Sequence, residues 1–180
     1  IAGRGEMRLA SMPLARLARD WGMAPGHKTL TAEIERGGSD FTRGLLRGLF
    51  DADGSVQGTQ DKGVSVRLAQ SDEALLQAAQ RMLLRLGVAS TIYRERRGAQ
   101  VRHLPDGRGG LKPYDTASQH ELVISGDNLL VFADRVGFAD HEKSARLERS
   151  LASYRRAVNR ERFTATVSSL VEDGTEPVYD

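Results

Sequence analysis

Leu46-Arg47-Gly48-Leu49-Phe50-Asp51-Ala52-Asp53-Gly54 is the stretch on which the reading of this chain turns. It closes an amphipathic helix whose expected N-cap is Ser39 and whose expected start is about Asp40. Gly44, Gly48 and Ala52 recur every four residues, so they share one stripe, where the lack of bulk admits a second backbone. Leu45, Leu46, Leu49 and Phe50 supply the apolar flanks. Gly54 is the expected C-terminal stop.

The helix therefore ends on two carboxylates, Asp51 and Asp53, although a helix C-terminus already carries partial negative charge. One reading is a polar turn after a buried helix. The other is a site where a divalent cation held by oxygen ligands offsets the carboxylates. A calcium loop is excluded. It requires Gly at its sixth position and Glu at its twelfth, and counting from Asp51 these are Val56 and Lys62.

The nonapeptide, extended as Arg47-Gly-Leu-Phe-Asp-Ala-Asp-Gly-Ser-Val56, resembles the signature helix of the LAGLIDADG homing endonucleases, and in particular the second such motif of the endonuclease domain found inside inteins. The resemblance implies two signature helices packed side by side through Gly44, Gly48 and Ala52. It also implies that Asp53, at the eighth position, binds the catalytic metal, Mg²⁺ or Mn²⁺, with the Ala52 carbonyl. No second copy of the motif occurs in the 180 residues. The first signature helix is thus expected upstream of Ile1.

The length of 180 residues suits one domain, or one domain with pieces of its neighbours. Hydrophobic residues make up 39% and charged residues 28%, enough to bury a core. No apolar run is long enough to span a membrane, and the start does not read as a signal peptide. The absence of Cys excludes disulfides, thiolate zinc sites and Cys nucleophiles, and fits a cytoplasmic protein. The net charge is only +2, so nucleic-acid binding must rest on local patches.

In chain order, Met7 to Met12 reads as extended and Pro13 opens a helix carrying Leu14, Leu17, Ala18 and Trp21. Gly26 to Leu30 reads as a loop, followed by a short helix to Ile34 and a break at Gly37-Gly38. Ser55–Gln60 and Val64–Gln70 read as strands about a turn at Asp61-Lys62-Gly63. Ser71 is the expected cap of a helix with Leu75, Ala78, Ala79, Met82, Leu83 and Leu86 on its apolar face, ending at Gly87. Val88–Arg97 and His120–Ser125 read as strands, Gly126-Asp127-Asn128 as the cap of a helix to Val136, and Asp140–Arg156 as a last helix. The order helix, hairpin, helix, hairpin, helix predicts an α+β fold with an antiparallel four-stranded sheet.

One sheet face carries Val64, Val66, Leu68, Leu122 and Ile124 toward the helices. The other carries Ser55, Gln57, Thr59, Ser65 and Arg67. Such a face suits either plain solvation or the major groove of double-stranded DNA, which admits β-ribbons. The long segment before the fourth strand is basic, with Arg94, Arg96, Arg97, Arg102, Arg108 and Lys112, and fits phosphate contacts.

The resemblance also assigns lysines. Asp20-Trp21-Gly22 through Lys28-Thr29-Leu30 resembles the block that places a catalytic lysine in the first endonuclease half, without the Pro usual after it. Lys143, at the start of the last helix, is the second-half candidate, and Lys112 its alternative. A lysine there stabilises charge on the phosphate while the metal activates water. Gln70 is either the residue that orients this water or ordinary polar surface.

The tail, Arg162–Asp180, reads as a strand, a turn at Asp173-Gly174 and a second strand. It resembles the late splicing-domain block of inteins, in which a Val-Tyr-Asp strand precedes the final His-Asn. The expected organisation is residues 1–38 as the tail of the first endonuclease half, 39–156 as the second half, and 157–180 as the start of a Hint-type splicing segment. The expected function is metal-dependent, site-specific DNA cleavage within an intein. The expected partners are DNA, the first half or a second copy of this chain, and the host protein's exteins. A catalytically inactive DNA-binding relic in a splicing-only intein is the alternative. The tail most resembles inteins inserted in nucleotide-metabolism enzymes.

Overall fold

The computed structural model describes residues 10–24, 27–59, 63–105, 109–153, 167–172 and 174–175. Its centre is helix α3, Ser39–Asp53. Before it come α1 (Met12–Asp20), a two-stranded ribbon of β1 (Met23–Ala24) and β2 (His27–Lys28), and α2 (Ala32–Glu35). After it come β3 (Gly54–Thr59), β4 (Gly63–Gln70), α4 (Glu73–Arg85), β5 (Thr91–Arg97), β6 (Gln100–Pro105), β7 (Leu111–Thr116), β8 (Gln119–Ser125), α5 (Asn128–Arg135) and α6 (His141–Ala152). The expected α+β architecture is present. Its main sheet is antiparallel, in the order β3-β4-β8-β5.

The two-residue periodicity of the strands divides the sheet as expected. Val56, Val64, Val66, Leu68, Leu122 and Ile124 are buried beneath the helices. They meet Leu46 and Phe50 of α3, Leu76, Met82 and Leu83 of α4, and Leu129 and Phe132 of α5 in one core. Phe50 packs edge-to-face against Phe132 and Phe138, with centroids 4.9 and 6.5 Å away. The N-terminal elements are fastened to this body. Trp21 packs edge-on to Phe41 at 5.3 Å, and Ile34 is buried. Arg81 of α4 binds both oxygens of Glu35, while Arg85 reaches the carbonyls of Glu35 and Gly37.

Several boundaries differ from expectation, each for a local reason. Ser39 is the first residue of α3 and not its cap; Gly38 holds that place, with no side-chain hydrogen bond. Asp72, not Ser71, caps α4, its carboxylate accepting the N–H of Ala74 and of Leu75. Gly54 ends α3, but in an extended conformation (φ −81°, ψ 159°) and not the left-handed one. Glycine is needed there because a Cβ would lie 2.5 Å from the Phe50 carbonyl oxygen. The expected loop Gly26–Leu30 contains β2, and the third strand begins at Thr91, not Val88.

The basic segment before the fourth strand divides: Arg94, Arg96 and Arg97 lie in β5 of the main sheet, whereas β6 and β7, which carry Arg102 and Lys112, pair with each other as a separate two-stranded sheet. The α5 cap is Asp127, whose backbone is helical (φ −60°, ψ −27°) and whose side chain makes no cap bond, while Asn128 accepts the Ala89 N–H at 2.8 Å. Helix α6 stops at Ala152, where Ser153 caps it, short of the expected Arg156. The expected tail strands do not form among the described residues. Residues 167–172 and 174–175 carry no strand, and Val167, Leu170 and Val171 are exposed. Met7, Asp61, Lys62, Arg108, Arg156, Asp173 and Asp180 lie outside the described residues.

Candidate active site

Because α3 passes into β3 with no intervening loop, Asp53 stands at the helix–strand junction. Gly54 pairs with Leu68, and that register carries the end of β4 past the junction. Gln70 there donates from Nε2 to Asp53 Oδ2 at 2.7 Å. Asp53 is otherwise exposed.

Asp51 and Lys143 are employed differently. Asp51 accepts the backbone N–H of Ala139 at 3.0 Å and of Asp140 at 3.1 Å, at the head of α6. Lys143 sends its ammonium back to the carbonyls of Phe50 and Asp51. The positive charge that the end of α3 demanded is thus partly supplied from within the chain, by a lysine on the last helix. Arg47 does the same for α5, donating from Nε to the Val136 carbonyl at 2.7 Å.

Gly44, Gly48 and Ala52 are all exposed, and a Cβ at Gly44 or Gly48 would meet nothing within 4 Å. They line a groove of about 340 Å³ with Leu45, Leu49, Leu30 and Leu75, and its polar residues include Asp53 and Gln70. The stripe is uncovered at all three positions. Lys28 lies in β2 opposite Met23, immediately before Thr29 and Leu30, which also line the groove. Its side chain is outside the described part of the structure.

The outer sheet face holds Ser55, Gln57, Thr59, Ser65 and Arg67, matched in register as Ser55 to Arg67 and Gln57 to Ser65. The arginines of β5 part company. Arg94 turns to α4 and pairs with Glu73 at 2.7 Å, pulling that carboxyl below its usual range. Arg96 and Arg67 both pair with Glu121, a buried carboxylate of β8. Arg97 reaches Gln119. Arg102 and Lys112 project from the exposed β6–β7 hairpin. Glu121 had no signal in the sequence beyond standing among strand residues, and the pairing across three strands is what reveals it.

The donors at the junction suit a hard divalent cation: a carboxylate oxygen of Asp53 and a carbonyl in the last turn of a helix. No group of three or more His, Cys, Asp or Glu that could hold a metal occurs among the described residues, so the junction is not a closed cage. An Mg²⁺ ion accepts such a site when water, phosphate or a facing carboxylate completes its shell. No described helix is long and apolar enough to cross a membrane.

The family profile described as a LAGLIDADG-like domain matches residues 40–137. Among curated proteins, the alpha subunit of ribonucleoside-diphosphate reductase NrdEB of Bacillus subtilis is 32% identical over 175 residues, covering 94% of this chain and 16% of that protein. A DNA-directed RNA polymerase subunit of Methanocaldococcus jannaschii is 24% identical over 148 residues, 82% of the chain and 14% of the relative. A DNA polymerase of Thermococcus litoralis is 32% identical over 116 residues, 64% of the chain and 6% of the relative. The chain spans a sixth or less of each of these proteins.

Proposed function

This chain belongs to the LAGLIDADG-like domain family, and we propose that it is the second half of a site-specific, divalent-metal-dependent DNA endonuclease carried within an intein. The observation that carries the reading is the open groove of Gly44, Gly48 and Ala52 that includes Asp53 and Gln70. A matching helix laid in it would bring its own terminal carboxylate beside Asp53.

The intein setting has separate support. The relatives are named for nucleotide reduction, transcription and replication, yet each shares with this chain one segment amounting to 6–16% of its length. One segment recurring within differently named hosts is the pattern of a mobile insert. Residues 1–38 would then trail from the first endonuclease half, 39–156 form the second, and 157–180 lead into a splicing segment.

In this reading Asp53 and the Ala52 carbonyl hold Mg²⁺ or Mn²⁺, which supplies a more acidic water and neutralises charge on the phosphate. Gln70 fixes the rotamer of the Asp53 carboxylate through its 2.7 Å hydrogen bond. Lys143 holds the α3 terminus rigid and places a positive charge beside the site. The outer sheet face lies along the major groove, and Lys28 supports the phosphate from the first half.

The test is cleavage of a duplex spanning the host gene's uninterrupted insertion site, with and without Mg²⁺. It compares this chain and a version extended upstream, each against Asp53→Asn. Cleavage by the extended protein that is lost in Asp53→Asn, with binding retained, is the expected result. Binding without cleavage in every version would instead leave a DNA-binding relic in a splicing intein.

A further inference from the structure

The outer sheet face, otherwise polar and basic, has a carboxylate at its centre. Glu121 is 4% exposed. Its Oε2 lies 3.2 Å from Arg67 NH1 and 2.8 Å from Arg96 Nε. Arg67 is held a second time, donating from Nε to Ser65 Oγ at 2.8 Å, and Ser65 is itself buried. Arg96 lies over the Tyr93 ring at 5.0 Å. Its placement needs an irregularity: the β5–β8 register shifts between Tyr93 and Arg97, and Glu95 there has φ +47°.

A buried acid is a poor device for attracting DNA, since it cancels charge where phosphates approach. It is a good device for restraining guanidinium groups, which otherwise lose rotamer freedom on binding. Arg96 meets Glu121 through Nε, on a side chain 41% exposed. A planar fork held in one orientation on a groove-facing sheet matches the O6 and N7 acceptors of guanine.

We infer that Glu121 is a positioning residue for sequence readout, locking Arg67 and Arg96 so that Arg96 reads guanine in the major groove. The inference rests on the DNA-binding reading above and adds a specificity determinant to it.

The test is the base preference of the upstream-extended protein selecting from a randomised duplex library, compared with its Glu121→Gln and Arg96→Lys variants. Glu121→Gln should flatten a guanine preference about tenfold at one or two adjacent positions, while binding to random duplex is kept or rises. Arg96→Lys keeps the charge but loses the fork, and should flatten the same positions. Its exposed side chain keeps the test valid if Glu121→Gln does not fold. Unchanged preference in Arg96→Lys, or loss spread evenly over all positions, overturns the inference while leaving DNA binding intact. No duplex binding by the unaltered upstream-extended protein overturns the DNA reading itself, and this inference with it.

Discussion

Asp51 and Lys143 cap each other's helices. The Asp51 carboxylate, in the last turn of α3, accepts two backbone N–H groups at the head of α6. The Lys143 ammonium, in the first turn of α6, donates to the Asp51 carbonyl at the foot of α3. Each charge sits at the helix end of opposite partial charge. The two aspartates of the signature stretch therefore separate: Asp51 holds two helix ends together, whereas Asp53 stays exposed and accepts a hydrogen bond from Gln70.

Removing either cap should weaken the whole body. Asp51→Ala is expected to cost about 1–2 kcal/mol and Lys143→Met about 1 kcal/mol, by urea unfolding. Because the two side chains serve one junction, the double variant should lose less than the sum. Strict additivity would show that the two caps are independent.

The groove makes opposite demands on stability and on pairing. Gly48→Ala meets no atom within 4 Å and should stabilise this chain by about 0.5–1 kcal/mol, through helix propensity alone. Gly48→Leu should leave the isolated chain folded but abolish pairing with a second signature helix. Thermal unfolding reads the first effect and cleavage by the extended protein the second. Full cleavage by Gly48→Leu would count against a helix in the groove.

Gln70 should behave as a supporting residue of the proposed metal site. Gln70→Leu removes the exposed hydrogen bond to Asp53 and should change stability by less than about 0.5 kcal/mol. In the extended endonuclease it should raise the Mg²⁺ requirement or lower the cleavage rate by about 10–100-fold. An unchanged Mg²⁺ titration would return Gln70 to ordinary surface.

The Glu35–Arg81 clamp gives a pH-dependent contribution. The hydrogen bond from Arg81 holds the Glu35 carboxyl below its usual 4.5. Its stabilisation is thus present above that value and lost as pH falls through the lower folded one. The pair is partly exposed, so its size stays below about 1 kcal/mol. The Tm gap between the unaltered chain and Glu35→Gln should therefore hold from neutral pH down to about 4.5 and narrow as the pH falls further. A gap that persists at low pH would mean that packing, not charge, fastens α2 to α4.

What the sequence alone determined were features written in local order. The four-residue spacing of Gly44, Gly48 and Ala52 marked a bare helix stripe, and alternation in Val64–Leu68 marked which sheet face is buried. Both survive because side-chain direction follows from backbone period. Helix edges were less legible, since Ser71 and Asp72 are both good caps and only the backbone turn selects Asp72.

Only the tertiary structure decided what pairs across distance. It set Lys143 on the foot of α3, Gln70 on Asp53, and two arginines on Glu121, at separations of 92, 17 and, for Arg67, 54 residues. The β6–β7 hairpin likewise emerged from cross-strand hydrogen bonds, where a run of Arg and Gly suggested only a long basic loop. Charge pairing depends on which strands and helix ends adjoin. That is a property of the packed core, and no spacing along the chain encodes it.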